Sequence, residues 1–260
     1  MTPNGFLAAY TLCWREIVRF LRQRTRIIGA LGSPVIFWLL IGSGVGHSFQ
    51  MPGATQSFTY MRFFYPGTML MIILFTAIFS TISIIEDRNA GFLQGVLVAP
   101  VSRGAIAWGK ILGGAALAFG QAVLFLLPAR LVGIPVPLSG LPLLLLMVAL
   151  LSIGLTALGY VIAWRMESVQ GFHAIMNLFL LPLWLMSGAL FTLQGAFSWI
   201  RWIMQLNPLT YGLQVMRAAL DPAQMVATGY PSLPVCFGIS VLGVVVVVGL
   251  AIFVTHQEKA

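Results

Sequence analysis

The chain has 260 residues, of which 59% are hydrophobic and 8% charged. A water-facing domain carries about 25% charged residues, so this composition excludes an ordinary soluble enzyme, a disordered chain and a secreted disulfide scaffold. Lys and Arg outnumber Asp and Glu by 14 to 6, a net charge of +8. With no soluble nucleic-acid module, that excess reads as basic segments facing anionic lipid, and nucleic acid is not an expected partner.

Residues 5–24 place Phe6, Tyr10, Trp14, Ile17, Val18 and Leu21 at helical spacing. Arg15, Arg19, Arg22 and Arg26 recur at i, i+4, i+7 and i+11 on another face. An aromatic-aliphatic stripe beside a basic stripe predicts an amphipathic helix in the membrane interface, with the four arginines on the membrane surface. Residues 1–26 are therefore separated from a six-span region, 27–260. Span 1 is predicted at 27–46, span 2 at 63–85, span 3 at 107–129, span 4 at 141–164, span 5 at 172–193 and span 6 at 233–255. Each approaches the roughly 20 apolar residues that cross a bilayer. Such unbroken runs disfavour an outer-membrane barrel, whose strands alternate.

Local signals refine these elements. Lys110, near the start of span 3, is expected at the interface with its amine reaching outward. Asn89 is expected to cap a short helix over about 90–98 that ends at Pro100. Phe92, Leu93, Val96 and Leu97 would form its apolar stripe, either docked in a partner's groove or lying on the bilayer. Pro182 predicts a kink in span 5. Short helices are expected at about 197–206 and 210–220, with Arg217 and Asp221 facing each other at i, i+4. Glycines 29, 32, 42, 44, 46, 109, 113 and 114 would allow close helix approach, within the chain or between copies.

Six spans put both termini on one side. With that side cytoplasmic, ten basic residues lie inside and four outside, which orients the chain N-in, C-in. His47, His173 and His256 sit on separate segments, and Cys13 and Cys236 have no metal-site spacing. Gly104 to Lys110 fits GxxxxGK, but Ile111 stands where Ser or Thr must hold Mg²⁺ and no strand precedes it. No catalytic, cofactor or metal residue is expected in this chain.

Three segments together resemble the ABC-2 type permease family, the membrane subunits of ATP-driven exporters of drugs, polysaccharides and glycolipids. They are Glu86-Asp87-Arg88-Asn89-Ala90-Gly91 through Leu97-Val98-Ala99-Pro100-Val101-Ser102-Arg103, Leu181-Pro182 with Ser187-Gly188, and Asn207-Pro208-Leu209-Thr210-Tyr211 followed by Arg217. Within the family, the chain resembles the drug-export and polysaccharide-export permeases. The resemblance implies an all-α membrane protein with an N-terminal interfacial elbow helix. It also implies a cytoplasmic coupling helix between spans 2 and 3 and short external helices between spans 5 and 6. It implies that Glu86, Arg88, Gly91, Phe92, Val96, Leu97, Pro100 and Arg103 contact a separate cytoplasmic ABC ATPase, which binds the ATP and Mg. Asn207, Pro208, Tyr211 and Arg217 would form an external motif. A second copy, membrane lipids and the bacterial inner membrane complete the expectation, with an amphipathic, drug-like or lipid- or glycan-linked cargo. Two departures stand out: Gln94-Gly95 occupy a usually charged stretch, and Thr192 stands where proline is frequent. Two other readings remain, an ATP-independent secondary transporter and a membrane anchor protein.

Overall fold

The computed structural model describes residues 3–45, 59–99, 101–222 and 230–257. Its elements in chain order are α1 (Pro3–Arg22), α2 (Arg24–Val45), α3 (Tyr60–Ser80), α4 (Ile82–Asn89), α5 (Phe92–Val98) and α6 (Arg103–Leu126). They continue with a 3₁₀ turn (Ala129–Val132), α7 (Leu141–Trp164), α8 (Val169–Trp184) and a π-turn (Leu185–Ala189). The last are α9 (Ser198–Leu206), α10 (Pro208–Leu220) and α11 (Leu233–Gln257). Among the described residues, six stretches are long and apolar enough to cross a membrane: Ile27–Val45, Tyr60–Asn89, Arg103–Leu126, Leu141–Trp164, Val169–Ala189 and Leu233–Gln257. The expected six-span, all-helical architecture is therefore observed, and no strand occurs among the described residues.

Span 2 is the axis of the bundle. Its most apolar window is 83% buried, against 17% for span 1 and 22% for span 6. Spans 1 and 6 thus present most of their apolar surface outward, as helices facing lipid do. Around the axis, Tyr65 stacks on Phe125 with ring centroids 4.6 Å apart. Its hydroxyl donates to the Phe125 carbonyl at 2.6 Å, which satisfies a polar group in an apolar setting. Helix α3 runs almost directly into α4 through a turn at Thr81, and the 30-residue stretch is about 45 Å long. It therefore extends past the predicted end of span 2 and carries Glu86, Asp87 and Arg88 on its last turn.

Side-chain caps fix which helix ends lie together. Arg88 donates to the carbonyls of Trp164 at 2.5 Å and Met166 at 3.1 Å, at the end of α7. Arg103 donates to the Thr255 carbonyl at 3.3 Å, at the end of α11. Basic side chains at helix C-termini satisfy carbonyls left without intrahelical partners and complement the dipole. The starts of α6 and α8, the ends of α4, α7 and α11, and helix α1 consequently share one end of the bundle.

Helix α1 binds to that end through close packing on α6. A Cβ at Gly109 would lie 2.8 Å from the Ala9 carbonyl oxygen and from Leu12 Cβ. A Cβ at Gly113 would lie 2.8 Å from Glu16 Cβ. Gly114 is packed against Ser80 and Thr156, and Gly42 against Met61. These four glycines serve packing within the chain, whereas Gly29, Gly32 and Gly44 have nothing within 4 Å of an added Cβ among the described residues. Gly46 lies outside the described residues.

Gly109→Ala is expected to lower stability by about 1–3 kcal/mol by forcing α1 off α6, whereas Gly29→Ala leaves it unchanged or raises it by up to about 1 kcal/mol. Thermal unfolding of the two variants in the same detergent measures the contrast.

Candidate functional site

Where α1, α4 and α6 meet, three cations enclose three carboxylates. Asp87 is at the centre, its side chain 2% exposed. Arg15 grips it with both guanidinium arms, Nη2 to Oδ1 at 2.7 Å and Nη1 to Oδ2 at 2.8 Å. Arg19 reaches Asp87 Oδ1 at 2.9 Å and Glu86 Oε2 at 2.5 Å. Lys110 Nζ donates to Glu16 Oε1 at 2.5 Å and to Asp87 Oδ2. The one-turn spacing of Arg15 and Arg19 matches the consecutive acids Glu86 and Asp87, and the planar guanidinium fork suits a carboxylate. The close α1–α6 contact at Gly109 and Gly113 brings Glu16 within reach of Lys110. Half of the chain's six acidic residues are in this cluster, which is electrically balanced at three against three.

Lys110 therefore does not send its amine outward. It is 3% exposed at the side chain and turns inward, because α1 covers it and supplies Glu16. Arg15 and Arg19 are engaged with the end of span 2 and keep about a third of their surface. Arg22 is exposed, and the Arg26 side chain lies outside the described residues. The candidate set lacked Glu16, Asp87 and Lys110. Their available signal was scarcity: an acid inside a basic stripe and a lysine opening an apolar run both demand partners.

The short helix α5 follows the cluster. It starts after Gly91, whose φ of 73° is the left-handed conformation that favours glycine. Asn89 is the last residue of α4 and caps nothing here, which corrects the expected start. The predicted outward stripe is also redistributed. Leu93 is 3% exposed and joins the main core, and the Arg15 guanidinium covers the Phe92 ring at 3.9 Å. Gln94, Gly95 and Val98 face outward instead. Val96 and Phe92 line a groove of about 530 Å³ shared with Leu7, Thr11 and Leu12 of α1. The side chains of Leu97 and Pro100 lie outside the described residues. Glu86, Arg88 and Arg103 point back into the chain, Phe92 and Val96 border the groove, and Gly91 forms the turn before α5.

The residues of the predicted external motif gather at the opposite end, around a break in span 5. The break falls after Pro182, at the π-turn, where Gly188 has φ 82°. Such a turn frees backbone carbonyls, which must find other donors within an apolar bundle. Asn207 Nδ2 donates to the Leu183 carbonyl at 2.6 Å, while its Oδ1 accepts from Leu209 N and caps α10. Pro208 is the first residue of α10, where its missing N–H costs nothing. Arg217 Nη2 donates to the Gly188 carbonyl at 2.7 Å, and Tyr60 donates to Leu190 at 3.0 Å. Arg217 is fully buried and stacks over Phe63 at 4.1 Å, so it does not make the expected pair with Asp221. Burial pulls its pKa down to about 10, which leaves it charged at neutral pH. Tyr211 donates to Gln205 at the surface.

A second cavity, of about 410 Å³, lies beside α2, α3 and α8, lined by Phe20, Met71, Phe75 and Phe79 with Ser33, Thr76 and His173 as polar groups. Among the described residues, no group of three or more His, Cys, Asp or Glu is placed to hold a metal ion.

Comparison with known proteins agrees with this layout. The family model described as ABC-2 type transporter matches residues 8–220. The chain is 28% identical over 210 residues to the protein named "Putative transport permease ycf38" of Cyanophora paradoxa, covering 80% of this chain and 72% of that one. The proteins of the same name from Porphyra purpurea and Pyropia yezoensis are 24% and 25% identical over 208 and 209 residues, each covering 79% of this chain and 71% of the relative.

Asp87→Ala is expected to destabilise the protein by about 3–5 kcal/mol, because it leaves three cations facing two carboxylates, with buried Lys110 held by Glu16 alone. Arg22→Ala changes stability by less than about 0.5 kcal/mol. At the other end, Asn207→Ala removes a cap and strands a buried carbonyl, a loss of about 2–4 kcal/mol, whereas Tyr211→Phe costs under about 1 kcal/mol. Melting temperatures in detergent rank the four variants.

Proposed function

The chain belongs to the ABC-2 type transporter family, and on that premise we propose that it is the permease subunit of an ATP-driven exporter. Two copies work with two copies of a separate ABC ATPase, in a bacterial inner membrane, with both termini cytoplasmic. Membership of the family implies an ATPase partner, and ten basic residues against four support the orientation. The end bearing α1 and α5 is then the cytoplasmic one.

The observation that carries this reading is the Asp87 cluster directly behind α5. The ATPase docks on α5 and on the groove between α5 and α1. Closure of the ATPase dimer around ATP pushes this surface. Salt bridges through Asp87 pass the push to α4 and span 2, and through Lys110 to span 3. Because span 2 is the most enclosed helix, its displacement repacks the bundle rather than bending locally.

The 410 Å³ cavity supports an amphipathic cargo: its walls are aromatic and aliphatic, with Ser33, Thr76 and His173 as sparse polar contacts. It lies beside span 1, where an added Cβ at Gly29 or Gly32 meets nothing within 4 Å among the described residues, and this small-residue face suits contact with a second copy. Drug-like molecules and lipid- or glycan-linked molecules both fit that chemistry.

Val96→Asp puts a charge into the docking groove. It is expected to abolish copurification of the ABC ATPase partner while membrane insertion stays at the wild-type level. Wild-type copurification by Val96→Asp would remove the docking claim. Cargo movement by the reconstituted chain alone, driven by an ion gradient, would replace the exporter reading with a secondary transporter.

A further inference from the structure

Helix α9 turns its most apolar face away from the protein. At about 100° per residue its nine positions fall into three sectors. Ile200 and Met204 point inward, and Met204 is fully buried against Leu193 and Ala196. Ser198, Arg201 and Gln205 form an exposed polar sector. Trp199, Trp202 and Leu206 form an exposed apolar sector, at 63%, 69% and 79% exposure, with Ile203 at its edge.

Water alone does not explain this. A helix beside a soluble core turns such a stripe inward, since two indoles and a leucine together represent several kcal/mol of unburied apolar surface. The arrangement has three different neighbours: protein, water and something apolar. These meet where a membrane protein passes through the water–hydrocarbon boundary. Tryptophan is the side chain suited to that boundary, with an apolar body and one N–H donor. The chain position agrees. α9 follows the π-turn that ends span Val169–Ala189 and packs against it, at the end of the bundle opposite the Asp87 cluster. Charge is kept out of the apolar sector. Arg201 folds back, its Nε donating to the Ala196 carbonyl at 2.9 Å and Nη2 to the Gln194 carbonyl at 3.1 Å.

We propose that α9 lies in the lipid headgroup layer on the side of the membrane opposite α1, with Trp199 and Trp202 inserted at the boundary. Its partner is the bilayer surface, and it anchors the outer end of the broken span. The inference requires the six spans to cross a bilayer and does not depend on the ATPase.

The test places single spin labels at Trp199→Cys, Trp202→Cys, Arg201→Cys and Gln205→Cys in the full chain with Cys13→Ser and Cys236→Ser. The protein is held in nanodiscs of phosphatidylethanolamine and phosphatidylglycerol. Labels at 199 and 202 should favour oxygen over a water-soluble nickel chelate several-fold, and labels at 201 and 205 should show the reverse. Equal nickel access at all four positions would overturn the proposal. So would shielding of 199 and 202 from both reagents with strong spin–spin coupling, which would mean that a second copy covers the face. If the cysteine-free background does not fold, the native chain is read by fluorescence in lipids brominated near the headgroup. The double variant Trp199→Phe, Trp202→Phe should then lose part of the shallow quenching, and unchanged quenching would contradict the insertion.

Discussion

One buried carboxylate organises the polar end of this protein. Asp87 sits at the end of the most enclosed helix, where an unpaired charge would be prohibitive. Its neutralisation by Arg15, Arg19 and Lys110 joins α1, span 2 and span 3 in one cluster. Because these ion pairs link α1, α4 and α6, none of the three can shift far without stranding a buried charge. Gly109 and Gly113 make the arrangement possible by letting α1 approach α6 closely. Helix α5 then hangs from this brace through Leu93 and Phe92. Anything that pushes α5 therefore pushes on a stiff junction.

The opposite end obeys a different constraint. There the difficulty is backbone rather than charge, because the π-turn at Leu185–Ala189 interrupts the helical ladder. Asn207, Arg217 and Tyr60 each donate to a carbonyl of this region, and Trp184 donates to Gly67 at 2.7 Å. A helix break inside an apolar bundle persists only when its polar groups are satisfied in this way. One end is thus held by ion pairs and the other by side-chain donors, with apolar spans between them.

Much of this was legible in the residues. Apolar run lengths gave the six spans, with span 4 matching α7 at both ends, because span length is set by bilayer thickness and needs no tertiary information. The period of Phe6, Tyr10 and Trp14 gave α1 for the same local reason. Partners across the fold were not legible. Nothing near Lys110 in sequence announces Glu16, 94 residues away, so an outward-reaching amine was the natural expectation. Asn89 looked like a helix cap because its chemistry permits one. The backbone instead uses Gly91, whose positive φ turns the chain sharply before α5. Leu93 was grouped with an outward stripe because periodicity reports a face, not what that face meets. The external motif was recognised as a pattern, but its work on the span-5 carbonyls became visible only once the break was located.

The claim at the centre is that α1, α4 and α6 move as one body when the docking surface is driven. Spin-label distances in the proposed complex of two copies with the ATPase, with and without trapped nucleotide, address it directly. Labels on exposed positions of α1 and α4 should keep their separation in both states while the distance between the α5 helices of the two copies changes. A change in the α1–α4 separation comparable to that between the α5 helices would contradict the rigid junction.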